Sequence, residues 1–386
     1  MVADVLVVGA SVAGAATATH LARLGHSVDL IDKATFPRRK PCGEGLFSPG
    51  VAELERLGIL PSLFSQAQVL SGLRLTFRGH TIDAPIGDLS RPVIGVERRI
   101  LDSLLLEAAR ESGVNIRLGV TALGLIEGGG RFTGVDTDQG ILTTRVIVVA
   151  DGAQSRLRRQ AGLGKAATRR GRYGVSGHFE VPEPPAPRVG VHIQDGYEVY
   201  VTPVRGRLVN VAILSGRDRA RSLSGNLTTA YREMAEESGA LPAGSVLADA
   251  PLAAGPFPAE AGRVWKSNLV LVGDAAGFFD GVTGDGMSLA LVSAQMCAGA
   301  VREFLATGES ASFAVYARKR RALVRNPQLL GRLLLTLATH PRIGARVASN
   351  LARRPETFAK LMRINQGEHG FSSLRPRDLL AALAGI

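Results

Sequence analysis

The sequence predicts an α/β fold: a parallel sheet of the Rossmann kind, interrupted by a β-rich insertion and followed by a helical tail. Three observations predict it. Residues 4–32, DVLVVGASVAGAATATHLARLGHSVDLID, read as a strand, a glycine turn, a helix, a second strand and a terminal acid. Residues 171–260 change to short alternating strands, among them YGVSGHFEV, RVGVHIQ, YEVYVTPV and RLVNVAIL. A buried strand at 269–272 then returns to the first pattern and leads into a glycine-rich turn and a long helix. A late return of this kind means that the β-rich segment is inserted.

The elements follow in order. Val5 to Val8 form an apolar run suited to a buried parallel strand, and Ala13 to Leu24 carry the small and apolar residues of a helix packed on a sheet. Gly9 allows the tight turn between them, and Gly14 allows close approach of helix and strand. Ser11 stands where the middle glycine of G-x-G-x-x-G is usual, so a phosphate must approach past a small side chain. Asp32 ends the second strand at the right distance to accept hydrogen bonds from a ribose. A Gly/Pro-rich loop, FPRRKPCGEGLFSPG, follows, then the helix-like VAELERLGIL and short strands over 70–95 with a hairpin around Arg78 to His80. Ile100 to Glu111 is a helix, Asn115 to Leu118 a strand, and Arg145 to Ala150 a buried run that Asp151-Gly152 ends. In the tail, prolines 327, 341 and 355 are each expected at the first position of a short helix of one small bundle. The expected organisation is residues 1–165 with 262–310 as the dinucleotide-binding part, 166–261 as the β-rich substrate part, and 311–386 as a helical segment.

Composition narrows the function classes. At 386 residues with 45% hydrophobic content the chain can bury a sizeable core. Its apolar runs are interrupted short of the roughly 20 residues of a membrane span, and no basic-then-apolar leader opens it, so a cytoplasmic location is expected. Two cysteines, Cys42 and Cys297, are too few for a disulfide framework and lack zinc-ligand spacing, which leaves no metal site. The net charge of +12 is concentrated in residues 318–386, which hold 14 Lys/Arg against 3 Asp/Glu. That segment is either a solvated helical face or a weak contact for anionic membrane, peripheral to the bilayer. No nucleic-acid motif accompanies the charge, so nucleic acid is not an expected partner.

Three glycine-rich turns at matched positions need one explanation: GASVAG at 9–14, ADGA at 150–153 and GDAAGFFDGVTGDGMSLA at 273–290. A nicotinamide dehydrogenase needs only the first. FAD, which runs from adenosine at one strand–helix turn to its isoalloxazine at another, needs them all. Asp274 is placed for a ribityl hydroxyl, Gly284 and Gly286 let backbone approach the ring, and the helix starting near Met287 aims free N–H groups at the ring's developing negative charge.

These motifs, with KPCGEG at 40–45 and ADGAQSRLRR at 150–159, resemble the FAD-dependent oxidoreductases of the aromatic-hydroxylase fold. Within that fold the chain looks most like the geranylgeranyl reductase branch, over roughly residues 1–300. The resemblance implies that Gly9, Ser11 and Gly14 hold the pyrophosphate, Asp32 the ribose, and Arg98 the phosphates. It implies a ribityl contact at Asp274, a ring contact from Gly284 to Met287, and FAD or transient NAD(P)H contact at Asp151 and Gly152. Cys42 and Gly43 match the loop beside the flavin, where a thiol tunes the ring or simply packs. Cys297 lies 23 residues beyond Asp274 on the following helix, and whether it bonds reversibly to Cys42 is left open by the sequence. The chain departs from the branch at YEVYVTP, residues 197–203, where a Trp/Phe-containing strand is usual, and at Gly281 and Asp285, where Pro and Glu are usual. The paired Trp motif of flavin halogenases is absent.

The resulting expectation is hydride transfer from reduced flavin to a double bond of an apolar substrate, with NAD(P)H or another small carrier as electron donor. An NAD(P)H- and O₂-dependent monooxygenase is the alternative, and a flavoprotein that modifies a partner protein is a second. By strand alternation Tyr197, Val199 and Val201 are expected to line the substrate pocket, with Glu198, Tyr200 and Thr202 facing away.

Overall fold

Val5 to Val8 are buried on both faces, and in the computed structural model, which describes residues 2–88, 90–165, 171–222 and 225–378, they lie at the centre of the first sheet. Its strands run in the order Trp265–Lys266, Leu269–Leu271, Gly140–Val149, Ala3–Val8, Val28–Asp32, Asn115–Leu118. Every junction along this path is parallel except the edge pair Trp265–Lys266 with Leu269–Leu271. Helices Val12–Arg23, Arg98–Glu111 and Gly286–Thr307 bury their small and branched residues in a common core on one face. Phe132, Leu157 and Leu163 cover the other. Gly286–Thr307 is long and apolar enough to cross a membrane by length and composition, yet Leu291, Ala294, Cys297 and Val301 along it belong to this core. A helix wedged between a sheet and its neighbours needs apolar residues around more of its surface than a surface helix does.

The second sheet runs Val246–Leu247, Arg172–Glu180, Leu208–Gly216, Tyr197–Arg205, Arg188–Ile193, Gly72–Phe77, His80–Pro85, and Leu252–Phe257 pairs with Arg172–Glu180. The hairpin 72–85 thus joins the inserted sheet, by parallel pairing with Arg188–Ile193, although its place in the sequence grouped it with the dinucleotide-binding part. Arg78 and Gly79 form its two-residue turn, both with positive φ, the geometry that matches strand twist. Leu73, Leu75, Phe77, Ile82 and Ala84 give the hairpin one apolar face that must be covered.

The tail supplies that cover. Helices Ala311–Thr339, Pro341–Ala352 and Pro355–Asn365 lay Leu334, Leu337, Val347, Leu351 and Phe358 against the hairpin, so they cap the second sheet instead of forming a separate bundle. Pro341 and Pro355 start helices as their chemistry predicts. Pro327 does not: it lies inside the 29-residue helix Ala311–Thr339. Tertiary packing overrides the break there, because the helix lies directly on the loop after Gly273–Ala276, where a Cβ on Gly331 would meet Phe279, Val282 and Thr283 within 3.3 Å.

Candidate active site

The first turn is shaped by what cannot fit in it. Gly9 has φ +104°, and a Cβ there would lie 2.4 Å from the Ala150 carbonyl oxygen. Ala150 N–H in turn donates to the Val8 carbonyl at 2.7 Å, which joins the first two glycine turns. Gly14 lies against the Gly9 carbonyl, 1.7 Å from where its Cβ would be. It therefore serves helix-to-turn packing and, unlike the other predicted cofactor residues, is not among the residues that line the cavity described below. Asp32 accepts the Ala10 N–H at 2.7 Å and the Ala34 N–H at 2.8 Å, so its carboxylate is fixed at the strand end.

The Ser11 hydroxyl is engaged by Arg98 and Asp102. It donates to Asp102 at 3.0 Å and accepts from Arg98 Nη2 at 2.6 Å, while Arg98 and Asp102 form a buried ion pair at 3.0 Å. Burial opposes the Arg98 charge, but Asp102 and the neighbouring Cys42 sulfur more than offset it and raise its pKa. The guanidinium thus stays charged at the cavity wall, next to the N-terminus of Val12–Arg23, where backbone N–H groups already favour an anion.

One continuous cavity of about 1140 Å³ collects Gly9, Ser11, Asp32, Cys42, Gly43 and Arg98 from the first half of the site. Asp151, Gly152, Asp274, Gly284, Gly286 and Met287 line the same space. Its volume exceeds the roughly 300–1,000 Å³ of ordinary ligand pockets, as a dinucleotide plus a second ligand would require. FAD fits this donor set: a glycine cradle, a helix N-terminus and a buried guanidinium for its diphosphate, and Asp32 for its ribose. Asp274 lies on the turn Gly273–Ala276, and Arg158 ties that turn to the second one, donating to Ala275 O at 2.9 Å and Ala153 O at 2.6 Å. At Gly286–Thr307, Asp285 makes no side-chain cap, so the first N–H groups are left for a ligand. Burial pushes the Asp285 carboxyl up to about 6, partly opposed by the Thr283 hydroxyl.

The KPCGEG loop lies against the strand Arg172–Glu180 of the second sheet. Cys42 N–H donates to Ser176 Oγ at 3.0 Å, and Glu44 N–H donates to Cys42 Sγ at 3.4 Å. Glu44 adopts φ +56°, rare for a residue with a side chain, and is held there by the Arg98 N–H on Oε1 at 2.7 Å and by His178 on Oε2 at 2.7 Å. The other His178 nitrogen meets Asp249 at 2.8 Å, and Arg39 caps Asp249 at 2.6 Å. Burial works against the imidazolium, but the two carboxylates prevail and raise its pKa to about 9. Lys40 also lines the cavity, where burial, then the Arg98 charge, push its ammonium below the usual range. Sequence reasoning passed over Lys40, Glu44, Arg158, His178 and Asp249. The basic run Arg38-Arg39-Lys40 ahead of Cys42 was the signal for the first, and nothing local marked His178 or Asp249.

The thiols do not pair. Both are free, and Cys297 is fully buried in Gly286–Thr307, where burial raises its pKa strongly. The strand Tyr197–Arg205 alternates as expected, but its faces are exchanged. Tyr200 and Thr202 line the cavity, whereas Tyr197 and Val199 pack with Phe179, Tyr231 and Met234 under the helix Leu227–Glu237. Polar atoms on the cavity face are satisfied locally: Tyr200 OH donates to Val282 O at 3.0 Å, and Glu198 and Asp280 share Arg172. Beyond Tyr200 the cavity continues as an apolar arm between the hairpin residues Leu75, Phe77 and Ile82 and the tail residues Leu337, Val347 and Leu351.

A family model described as an FAD binding domain matches residues 2–327. The menaquinone reductase of Mycolicibacterium smegmatis is 30% identical over 384 residues, which cover 90% of this chain and 92% of that protein. Digeranylgeranylglycerophospholipid reductase 1 of Methanothermobacter thermautotrophicus is 30% identical over 329 residues, 78% of each chain. Among solved structures, a flavoprotein/dehydrogenase from Cytophaga hutchinsonii shares the fold with a TM-score of 0.82 at 19% identity, covering 95% of this chain and 93% of its own. With its glycine turns, its buried arginine and a cavity of dinucleotide size, the chain belongs to the FAD-binding family and is an FAD-dependent oxidoreductase.

Proposed function

We propose that this protein saturates a carbon–carbon double bond in the isoprenoid chain of a quinone or lipid, using FAD that NAD(P)H or another small carrier reduces. The observation that carries this reading is the apolar arm, which is continuous with the cofactor cavity and walled by Leu75, Phe77, Ile82, Leu337, Val347 and Leu351. An extended hydrocarbon would displace water along the whole arm, with burial worth roughly 25 cal/mol per Å² of apolar surface. FAD, once bound, supplies hydride. The chain's own residues orient it: Arg98 with the helix N-terminus holds the diphosphate, Asp32 the ribose and Asp274 the ribityl chain, while Tyr200, Leu214 and the Gly281–Gly284 loop keep water from the reacting end. The menaquinone and prenyl-lipid reductase relatives support the substrate class.

The same reading includes a peripheral membrane contact on the cytoplasmic side. Leu333 is 49% exposed and also lines the arm, so the arm opens at the surface beside exposed Leu329 and Ile343. Arg325, Arg332, Arg342 and Arg346 surround these residues and are exposed. An anionic bilayer matches an apolar opening ringed by cations.

The test is anaerobic photoreduction of the FAD-loaded protein, followed by a menaquinone or a geranylgeranyl lipid in micelles. Flavin reoxidation with a product whose isoprenoid chain, and not its quinone ring, has gained two hydrogens supports the reading. A product that gains oxygen, formed only when O₂ is admitted, would replace it with the monooxygenase.

A further inference from the structure

Reducing a carbon–carbon double bond needs a proton as well as a hydride, and the protein must bring that proton into a cavity it has dried. Several polar groups that line the cavity are committed to backbone contacts: Asp32 to two N–H groups, Tyr200 to Val282 O and Gln154 to Pro256 O. One chain of groups instead runs outward. Glu44 lines the cavity, and its Oε2 meets His178 Nε2 at 2.7 Å. His178 Nδ1 meets Asp249 Oδ2 at 2.8 Å, and Asp249 is 28% exposed. The imidazole itself is 7% exposed, so it reaches water only through its carboxylate neighbours.

We propose that Asp249, His178 and Glu44 form a proton relay that delivers the proton for double-bond reduction from solvent to the cavity, with Glu44 as its inner end. This rests on the reductase reading above. The balance is simple. Hydride from the reduced cofactor forms the new C–H bond at one alkene carbon, and the other carbon takes a proton that His178 Nε2 passes through the Glu44 carboxylate. His178 is then left with its proton on Nδ1, and after the ring turns over, its bare nitrogen takes a new proton from water by way of Asp249. Two electrons and one proton come from the NAD(P)H-class donor, and the relay adds the second proton.

Two features separate a relay from a plain anchor. An anchor for the KPCGEG loop needs one contact, and Glu44 already has the Arg98 N–H on Oε1, yet the second oxygen is spent on an imidazole. Glu44 also holds φ +56°, a conformation non-glycine residues adopt at a cost, and this directs its carboxyl between Arg98 N and His178. The charged groups facing His178 are Glu44 on the loop and Asp249, with Arg39 on the far side of Asp249 at 2.6 Å. Tyr231, on the helix behind the sheet, donates its hydroxyl to Gly177 O and Val211 O and offers no charge. The carboxylates keep the imidazole protonated up to about pH 9, so the relay stands loaded at neutral pH. Glu44 is the group that touches substrate, and His178 and Asp249 act through it.

The test uses FAD-loaded protein, photoreduced without O₂, and compares reoxidation by two acceptors in the parent, His178→Gln and Asp249→Asn. Ferricyanide takes electrons without protonating a carbon, and a geranylgeranyl lipid, which has no quinone ring to take them, requires it. We expect His178→Gln to slow reoxidation by the geranylgeranyl lipid by about 100-fold or more, the range of general acid catalysis, while ferricyanide reoxidation and FAD occupancy stay at parent values. The parent rate should fall as pH rises through about 9, and the variant's should be flat. Asp249→Asn should enlarge the solvent isotope effect. Equal losses with both acceptors, or no loss with the geranylgeranyl lipid, would overturn the relay. A readout without turnover stands beside these: ¹⁵N-histidine NMR of the oxidised protein should show His178 protonated on both nitrogens at pH 7. A neutral ring there overturns the relay even if the lipid proves not to be a substrate, which would instead count against the proposed function.

Discussion

Replacing Arg98 with methionine should damage the fold before it damages the chemistry, because the guanidinium is the main partner of a carboxylate that water cannot reach. Asp102 has no exposed surface, and in the parent it receives Arg98 Nε at 3.2 Å and Nη2 at 3.0 Å, with Ser11 Oγ at 3.0 Å. Arg98→Met leaves one hydroxyl to compensate a buried charge, and breaking a buried pair in this way typically costs about 3–5 kcal/mol. That is a large share of the roughly 5–15 kcal/mol that holds a domain together. The double variant Arg98→Met/Asp102→Leu removes both charges, leaves an apolar plug of similar volume, and should recover most of the loss. Urea unfolding of the FAD-free forms, followed by far-UV circular dichroism, gives the cycle. FAD affinity separates the second role of Arg98: the double variant should refold yet bind FAD about 10–100-fold more weakly, since a charged hydrogen bond to the diphosphate is worth about 1.5–3 kcal/mol. If Arg98→Met costs less than about 1 kcal/mol in the FAD-free protein, the account of Asp102 as a charge compensated by Arg98 is wrong. If the double variant binds FAD as the parent does, the guanidinium is structural only.

Other perturbations address the rest of the site. Asp32→Ala strands the Ala10 and Ala34 N–H groups and removes the ribose acceptor, and Asp274→Ala removes the ribityl contact; each should lower FAD retention on gel filtration. Cys42→Ser should keep FAD bound but shift the stopped-flow rate of flavin reduction or reoxidation, because its sulfur lies beside Arg98; rates equal to the parent's would make it a packing residue. His178 is raised from 6.5 to about 9 on folding, so its contribution is fully present below pH 6.5 and is lost as pH rises through about 9. Unfolding free energy should fall over that window by at most about 3 kcal/mol, and the slope should vanish in His178→Gln. Co-sedimentation with liposomes should rise with anionic lipid, fall with salt, and drop when Arg325, Arg332, Arg342 and Arg346 become glutamine, each worth on the order of 1 kcal/mol at the surface; equal binding to neutral vesicles would remove the membrane contact.

The sequence by itself determined the parts of this protein that depend on neighbours along the chain. The strand Ala3–Val8, the turn at Gly9, the helix Val12–Arg23 and the acid Asp32 follow from an apolar run, a residue free to take φ +104°, and a fixed spacing. The spacing of Arg98 and Asp102 was equally legible, since residues four apart on a helix face each other. The glycine turns at 150–153 and 273–290 could be matched to one long ligand before their meeting was known. Ser11 was read as an obstacle beside the phosphates, and only the fold showed that its hydroxyl turns toward Arg98 and Asp102.

Only the tertiary structure decided which face of each element looks inward. Period-two alternation divided Tyr197–Arg205 into two sets without saying which set meets the cofactor, and the apolar set was the natural choice. The helix Leu227–Glu237 claims that set, because Tyr197 and Val199 bury more surface under a packed helix than along a cavity wall, where Tyr200 and Thr202 can still satisfy their polar atoms. Pro327 read as a helix start, yet the fit of Gly331 against Phe279 and Val282 carries the helix past it. Glu44, His178 and Asp249 lie 134 and 71 residues apart along the chain, and no local pattern marks such a contact. Their meeting depends on how the KPCGEG loop lies against the second sheet, and packing of the whole chain sets that contact.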